Sequence, residues 1–309
     1  DMFLPGDLGQ YDENIKRIDL SDPITSPSYF QISFKSLKIY RECPMKFYFN
    51  IVLGVKDAEP GYQGVNARAD NPEEGWGRED DEKDSSENAL LLGLLVHSYL
   101  ERHRFGEGFN RDMFKNLWDK SSALYLGAGG AGSSLSVSVR EKALAQLERT
   151  VSDERLLKIF MGTRDYAEVP FLIDISRGID FRGVIDRILR KKVDGSWSII
   201  DWKSNDLKGK DPRDLAEQNG YFLQLACYKN AVERITGERV KEVYVYFTDT
   251  GDMVKGDGLP DAGDFLREVS RKIREYSDRG PPDIDLEGPD AVKCRSCGYR
   301  DVICNVNPL

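Results

Sequence analysis

The residues Phe181–Asn205, FRGVIDRILRKKVDGSWSIIDWKSN, decide how this chain is interpreted. They form two apolar runs on either side of Asp194-Gly195, a dipeptide typical of a β-hairpin turn. Side chains two apart on a strand share a face, so Asp201 and Lys203 point the same way. If the two strands pair, Asp186 lies alongside them. Two carboxylates and a lysine at a strand end suit a hard cation and metal-assisted phosphodiester hydrolysis.

An Asp-x-Lys pair alone has little weight, because such residues are common at protein surfaces. Other residues strengthen the functional interpretation. Glu168 is an acid within an otherwise apolar strand, and His97 lies in an apolar helix. Gly93, one turn before His97, would let another backbone approach that helix. Gln224 and Tyr228 are four residues apart in a predicted helix and therefore share a face.

The composition is that of an ordinary globular protein, with 309 residues, 40% hydrophobic and 31% charged. We find no secretory signal and no apolar run long enough to cross a membrane. We therefore expect an intracellular, cytoplasmic protein without a membrane partner. The chain begins with Asp before Met, which predicts that it is a piece of a longer polypeptide.

The net charge of −9 argues mildly against non-specific nucleic-acid binding. However, eleven acidic residues lie between Asp57 and Glu87, and the rest of the chain is nearly balanced. Basic clusters remain, and each alone is more typical of a solvated face than of a DNA contact. These clusters are Lys35, Lys38, Arg41 and Lys46; Arg187, Arg190, Lys191 and Lys192; and Lys203, Lys208, Lys210 and Arg213.

The order of helix and strand patterns predicts an α/β fold, in which a small mixed sheet is flanked by helices. An N-terminal helical region and a C-terminal cysteine-rich segment are expected to close together. We divide the chain into a linker or wrapping arm, 1–32, and a single domain, 33–309. Within that domain we expect an acidic disordered insertion at 57–87, a Gly-rich loop at 127–134 and a cluster-binding segment at 280–309.

Five cysteines with one C-x-x-C pair make a poor disulfide framework and a better metal or cluster site. Four thiolates suit either a [4Fe–4S] cluster or a structural Zn²⁺ ion, and their spacing does not separate the two. Such a site would staple the two ends of the domain together. Its ligands would be Cys43, Cys294, Cys297 and Cys304. Cys227 is expected to be a small buried residue.

In their order along the chain, these motifs resemble those of a known nuclease family. They are G93-x-x-x-H97, E168, G183-V-I-D186-R, I200-D201-W-K203 and Q224-x-x-x-Y228. This series is similar to the RecB-like branch of the PD-(D/E)xK nucleases, whose core resembles restriction endonucleases. The cysteine layout resembles its iron–sulfur subgroup, which includes AddB-type and CRISPR-adaptation-type nuclease domains. The resemblance runs from about Ser33 to Cys304. The opening SFKSLKIYRECPMKFYFNIVLG also resembles nuclease domains fused behind superfamily-1 helicases.

The resemblance implies a role for each matched residue. Mg²⁺ or Mn²⁺ would be held by Asp186, Asp201, His97 and the Trp202 backbone carbonyl. Lys203 would position or help deprotonate the attacking water and steady the phosphate charge. The remaining residues would support the site or contact nucleic acid; they are Glu168, Gln224 and Tyr228. A [4Fe–4S] cluster, with Zn²⁺ as the alternative, would bind the four cysteines.

Three hypotheses from different classes follow. The first is a metal-dependent DNA nuclease, an exonuclease on single-stranded ends delivered by a superfamily-1 helicase in cis or in trans, acting in DNA repair or recombination. The second is a non-catalytic nucleic-acid-binding module with the same fold and cluster. Loss of a metal ligand or of the lysine would mark it, and Asp186, Asp201 and Lys203 are all present. The third is a zinc-stapled interaction domain.

Overall fold

The computed structural model describes residues 29–55, 79–125 and 134–282, together with Cys294, Cys297, Tyr299 and Cys304. In that part of the chain a short π-helix, Tyr48–Val52, accompanies nine α-helices and six strands. Their order is β1 (Phe30–Ser33), α1 (Phe34–Glu42), α2 (Pro44–Phe47), the π-helix, α3 (Glu79–Arg102), α4 (Arg111–Tyr125), α5 (Ser134–Ser152), α6 (Glu154–Phe160), β2 (Thr163–Ser176), β3 (Ile179–Lys191), β4 (Trp197–Lys203), α7 (Pro212–Gln218), α8 (Tyr221–Thr236), β5 (Val240–Phe247), β6 (Asp252–Lys255) and α9 (Ala262–Arg279).

Strand β3 is the centre of a mixed sheet. One edge of β3 pairs with antiparallel β2 along most of its length. The other edge is shared by parallel β1, at residues 179–182, and antiparallel β4, at residues 187–190. Strand β4 continues the sheet through parallel β5 to antiparallel β6. The predicted α/β class, with a small mixed sheet flanked by helices, is confirmed.

Both faces of the central strands are buried, because helices cover the sheet on each side. Ile199 packs in a core with helices α1, α2, α8 and α9. The next residue, Ile200, packs in a second core with helices α3 to α6. Successive side chains on a strand point to opposite faces, so both positions must be apolar. This explains the nearly continuous apolar run that precedes Asp201.

Strands β3 and β4 separate immediately beyond their last pair, Arg187 with Ile200. Residues 183–186 of β3 lie between the part paired with β1 and the part paired with β4. No strand in the described part of the chain pairs with them on that edge. We call this opening the fork. The next residues on the two strands, Asp186 and Asp201, face each other across it, so the topology brings two distant carboxylates together.

Several boundaries differ from the sequence-based expectations. The predicted arm, 1–32, overlaps strand β1, whose pairing with β3 makes residues from Phe30 part of the sheet. The insertion expected to be disordered through residue 87 is helical from Glu79, where α3 begins. The rest of the insertion lies outside the described residues. So do residues 1–28, nearly all of the Gly-rich loop and most of the C-terminal segment.

The apolar pattern predicts single helices over residues 138–159 and 214–235, and each is divided in the structure. Asp153 ends α5, and its side chain accepts a hydrogen bond from the Arg155 N–H as the N-cap of α6. Gly220 separates α7 from α8 with a left-handed backbone, φ 73°. Proline in a helix interior kinks or splits the helix, so the sequence predicts a break at Cys43-Pro44. The break is confirmed, since α1 ends at Glu42 and α2 begins at Pro44. No described helix combines the length and the apolar character that crossing a membrane requires.

Gly183 makes room for the Phe171 ring of strand β2 beside the fork. A Cβ atom at this position would lie 2.7 Å from two ring atoms of Phe171 and 3.6 Å from the Tyr228 ring. The rings of Phe171 and Tyr228 meet edge to face, with centroids 5.9 Å apart. Gly183 therefore leaves space for the Phe171 ring, which in turn packs on Tyr228 of helix α8.

We expect Gly183→Ala to lower the free energy of unfolding by about 1–3 kcal/mol, because the added methyl group forces the Phe171 ring to move. Urea denaturation followed by circular dichroism measures this change. Gly108→Ala is the matched control, since a Cβ there meets no atom within 4 Å. Equal stability of the two variants would contradict this account of Gly183.

Candidate active site

Asp186 and Asp201 are buried carboxylates at the fork. Asp201 is 1% exposed, and the Asp186 side chain is 13% exposed. Asp186 Oδ2 accepts a hydrogen bond of 2.8 Å from the Trp202 N–H, which takes the place of a strand-to-strand bond. Burial and the negative charge of Asp201 raise the pKa of Asp186 well above its ordinary value. The fork thus holds two acids that repel each other when both are ionised.

His97 from helix α3 reaches the same opening. Its Nδ1 lies 3.7 Å from Asp186 Oδ1 and 4.0 Å from Glu168 Oε1. One ligand atom from each of these three residues lies within 4.8 Å of the others. Burial and the positive charge of Lys203 lower the pKa of His97, which favours the neutral imidazole that ligates metals. One imidazole and two carboxylates fit a divalent cation such as Mn²⁺ or Mg²⁺.

The Trp202 backbone carbonyl belongs to this opening as well. In a strand the N–H and C=O of one residue point to the same side, and the Trp202 N–H points to Asp186. The Trp202 backbone raises the pKa of His97 and so partly offsets the effect of burial. The structure therefore brings His97, Asp186 and Trp202 together, and it adds Glu168 to the potential ligands.

Glu168 has an uncommon backbone conformation, with φ 46°. Its neighbours Ala167 and Val169 pair with β3, whereas Glu168, which faces Asp186, interrupts the ladder. A left-handed backbone is unfavourable for a residue with a Cβ, and such strain clusters at functional sites. Burial and the charge of Glu101 raise the pKa of the Glu168 carboxyl. This local strain is a second indication that the fork is a functional site.

Asp201 points to Lys203 and is not one of the three clustered ligands. Lys203 Nζ lies 2.7 Å from Asp201 Oδ2 and donates a 3.0 Å hydrogen bond to Gln224 Oε1. Gln224 Nε2 in turn donates to the Tyr228 hydroxyl at 2.7 Å. Burial lowers the pKa of Lys203, but Asp201 and Asp186 outweigh burial, and the net shift is upward. Lys203 is therefore a firmly protonated cation at the fork. The Tyr221 ring lies 4.5 Å from Lys203 Nζ.

Sequence reasoning missed the burial of Arg187, which it had placed in a solvated basic cluster. The Arg187 side chain is 3% exposed, and its guanidinium lies beside the stacked rings of Phe105 and Phe160, 5.6 Å from each ring centre. Its position between Ile185 and Ile188 in an apolar strand was the available signal. An arginine in the middle of such a run is either paired inside the protein or disrupts the core.

Tyr299, a described residue of the C-terminal cysteine segment, contacts the N-terminal helical region. Tyr299, between Cys297 and Cys304, donates a 2.7 Å hydrogen bond to the Val55 carbonyl. It also accepts one from Asn50 and packs on Phe49. Among the described residues, the cysteine thiols do not form a group of three within 4.8 Å of one another. Cys227 is buried as predicted, and burial raises the pKa of its thiol to about 12.

A family model of the PD-(D/E)XK nuclease superfamily matches residues 31–305. The chain belongs to this superfamily. The match includes the whole fork and every helix that supplies a side chain to it. The sequence-based recognition of the PD-(D/E)xK nucleases is therefore confirmed at the level of the superfamily.

Curated relatives are similar over part of the chain. An ATP-dependent helicase/nuclease protein from Carboxydothermus hydrogenoformans is 28% identical over 173 residues, covering 52% of this chain and 14% of the relative. The protein of the same name from Alkaliphilus oremlandii is 36% identical over 138 residues, covering 38% of this chain and 11% of the relative. The chain thus matches about a seventh or less of each relative. A solved structure titled "Crystal structure of SSO0001" is 16% identical with a TM-score of 0.31, covering 71% of this chain and 96% of that one.

We expect Asp186→Asn to stabilise the metal-free protein at pH 8. A raised carboxyl pKa means that the folded protein prefers the protonated acid, so wild-type stability falls as pH rises from the unfolded-state pKa through the folded-state pKa. Asparagine does not ionise, so the variant avoids the free-energy cost of a buried negative charge at position 186. A gain of about 1 kcal/mol corresponds to roughly 2–4 °C in Tm for a domain of this size.

Thermal unfolding in EDTA between pH 4 and pH 8 measures this difference. The difference should shrink toward pH 4, where the folded-state carboxyl is neutral and the unfolded-state carboxyl, with a pKa of about 3.9, is only partly ionised. Asp174→Asn, at an exposed position of β2, is the control and should change stability by less than about 0.5 kcal/mol. Added Mn²⁺ should stabilise the wild type more than Asp186→Asn. A variant that is less stable than the wild type at pH 8 in EDTA would contradict the prediction.

Proposed function

We propose that this chain is a metal-dependent deoxyribonuclease that hydrolyses phosphodiester bonds at single-stranded DNA ends in DNA repair or recombination. One observation carries the proposal: a buried, protonated Lys203 lies beside two carboxylates and a three-ligand group at one opening of the sheet. A cation next to a hard-metal site is what an anionic phosphate requires. The superfamily supports nuclease chemistry.

The metal would be Mg²⁺ or Mn²⁺, held by His97, Asp186 and Glu168, with Asp201 and the Trp202 carbonyl beside them. When bound, such an ion lowers the pKa of a coordinated water and polarises a phosphoryl oxygen. The protein's own contribution is to hold five oxygen and nitrogen donors around one opening. The family resemblance implies Asp186, Asp201, His97 and the Trp202 carbonyl as metal ligands. The proposed set adds Glu168, whose left-handed backbone directs it to the fork.

Lys203 is proposed to stabilise negative charge on the phosphate rather than to remove a proton from water. Its raised pKa keeps the ammonium protonated at neutral pH. Gln224 holds this ammonium through a direct hydrogen bond, and Tyr228 holds Gln224. The hydrogen-bonded pair of Tyr228 and Gln224 therefore fixes where the positive charge lies.

A groove beside the fork is the proposed path of the DNA strand. It is a cavity of about 810 Å³ that begins at Ser204 and Asn205, directly after Lys203. Three lysines line it, Lys142, Lys208 and Lys210. Its remaining lining includes apolar side chains of helices α3, α5 and α7. Basic side chains over an apolar floor suit a single strand, whose phosphates and bases are exposed together.

The proposed partner is a superfamily-1 helicase, either fused to this chain or separate from it. The relatives in which the matched segment occurs are named as ATP-dependent helicase/nuclease proteins, and the matched part is a small fraction of each. A helicase would supply the single-stranded ends. The four cysteines are proposed to bind a [4Fe–4S] cluster, with Zn²⁺ as the alternative. The contact of Tyr299 with Val55 supports a staple between the two ends of the domain.

The deciding experiment is degradation of end-labelled linear single-stranded DNA by anaerobically purified protein with Mn²⁺ or Mg²⁺. We expect cleavage by the wild type, its loss in EDTA, and a decrease of about 10²–10³-fold in Lys203→Ala, the usual effect of removing one charge-stabilising donor. Lys158→Ala, on an exposed lysine of α6, is the control and should retain activity.

A closed circle of the same DNA shows whether an end is required. Inactivity of the metal-loaded wild type would overturn the nuclease proposal. Binding of DNA without cleavage would then favour the non-catalytic binding module. Iron absorption of fresh protein distinguishes the cluster from zinc.

Substitution of the groove lysines should weaken binding of a single strand and reduce its dependence on salt. Each lysine that neutralises a phosphate contributes about 0.7 to the slope of log K against log salt concentration for single strands. We therefore expect Lys208→Gln and Lys210→Gln each to lower the slope by about that amount in fluorescence anisotropy titrations. Titrations in EDTA prevent cleavage. Lys158→Gln is the control, and an unchanged slope in both groove variants would remove the groove from the proposed path.

A further inference from the structure

Arg187 joins strand β3 to the end of helix α3. Its Nη2 donates hydrogen bonds to the carbonyl oxygens of Leu100, at 2.7 Å, and His103, at 2.9 Å. Its Nη1 lies 3.2 Å from Asp165 Oδ2 of β2. The guanidinium also lies 5.6 Å from the ring centres of Phe105 and Phe160. One side chain thus binds two carbonyls at the helix end, a carboxylate and two rings.

These contacts lie directly beside the metal-ligand group. Arg187 follows Asp186 in β3, and Leu100 follows His97 by three residues, less than one helical turn or about 4.5 Å along α3. Carbonyl groups at a helix C-terminus lack intrahelical partners and carry partial negative charge, so a buried cation binds them well. Asp186 and Arg187 therefore hold neighbouring parts of α3. Asp186 would do so through a metal ion shared with His97, and Arg187 does so through its guanidinium.

We infer that Arg187 is a positioning residue that sets the distance between His97 and Asp186 by fixing helix α3 on strand β3. This role rests on the proposed metal site. Arg187 would influence the metal affinity of that site without itself being a ligand. Arginine is required because its planar guanidinium can donate to two carbonyls and a carboxylate at once. Lysine keeps the positive charge and loses this geometry.

Loss of the Arg187 guanidinium should weaken metal binding through His97. Arg187→Lys should weaken Mn²⁺ binding by about 10–100-fold, the effect usually seen when a residue that orients a ligand is lost. In a His97→Ala background, the same substitution should weaken binding by less than about threefold, since the ligand it positions is already absent. This non-additivity is what a double-mutant cycle measures.

Mn²⁺ titrations followed by electron paramagnetic resonance give the four affinities without any DNA or cleavage. Arg190→Lys is the matched control. It makes the same chemical change three residues further along β3, where the arginine is 42% exposed and pairs with Glu238. We expect wild-type Mn²⁺ affinity for this control. Circular dichroism establishes that each variant is folded before it is titrated.

Three results would overturn the inference and leave the proposed function standing. They are wild-type affinity in Arg187→Lys, an equal loss in both backgrounds, and wild-type affinity in His97→Ala. An equal loss would indicate a general structural role, and wild-type affinity in Arg187→Lys would indicate that charge alone suffices. Failure of the wild type to bind Mn²⁺ would instead overturn the metal site itself, and with it the proposed function.

If Arg187→Lys does not fold, Asp165→Asn provides the same test with a smaller change. It removes the charge of one partner and leaves the guanidinium and both carbonyl groups. We expect a loss of Mn²⁺ affinity of several-fold that again disappears in the His97→Ala background. Wild-type affinity in Asp165→Asn, or a loss that persists without His97, would contradict the inference.

Discussion

Repulsion between Asp186 and Asp201 at the fork is the constraint that the surrounding structure has to offset. Burial removes most of the water that would screen the two carboxylates, which is why the pKa of Asp186 is raised. The protein supplies the Trp202 N–H to one carboxylate and the Lys203 ammonium to the other. A divalent cation between His97, Glu168 and Asp186 would offset the rest. The metal-free fork therefore holds charge that costs stability, as expected where function and stability compete.

The parts of the fold that follow from local signals could be predicted. Asp194-Gly195 predicts the hairpin between β3 and β4, although the loop spans residues 192–195 and the register that brings Asp186 beside Asp201 is set by that longer loop. Cys43-Pro44 breaks the first helix because proline lacks an N–H, and the spacing of Gln224 and Tyr228 places both on one face of α8. In each case residues close in sequence determine the outcome, so the amino-acid pattern is sufficient.

The parts that depend on contacts between distant residues could not be predicted in the same way. Strand β1 is only four residues long, and its parallel pairing with β3 joins segments about 150 residues apart. Glu168 enters the metal-ligand group through a left-handed backbone, which no propensity of glutamate suggests. Arg187 resembles its exposed neighbour Arg190 in sequence, and only the packing of α3 and Phe105 makes it a buried cation.

Two buried cations flank the carboxylates, and their partners assign them different tasks. The Arg187 guanidinium binds backbone carbonyls, which cannot move without moving the helix. The charge of Arg187 therefore stabilises the fold and is not free to bind a ligand. The Lys203 ammonium has three donors, and Asp201 and Gln224 are the two side-chain oxygens near it among the described residues. Lys203 is also more exposed than Arg187, at 16% against 3%. An incoming phosphate can therefore approach Lys203 without breaking the fold. This division lets an acidic protein present one fixed positive charge beside a site for a metal.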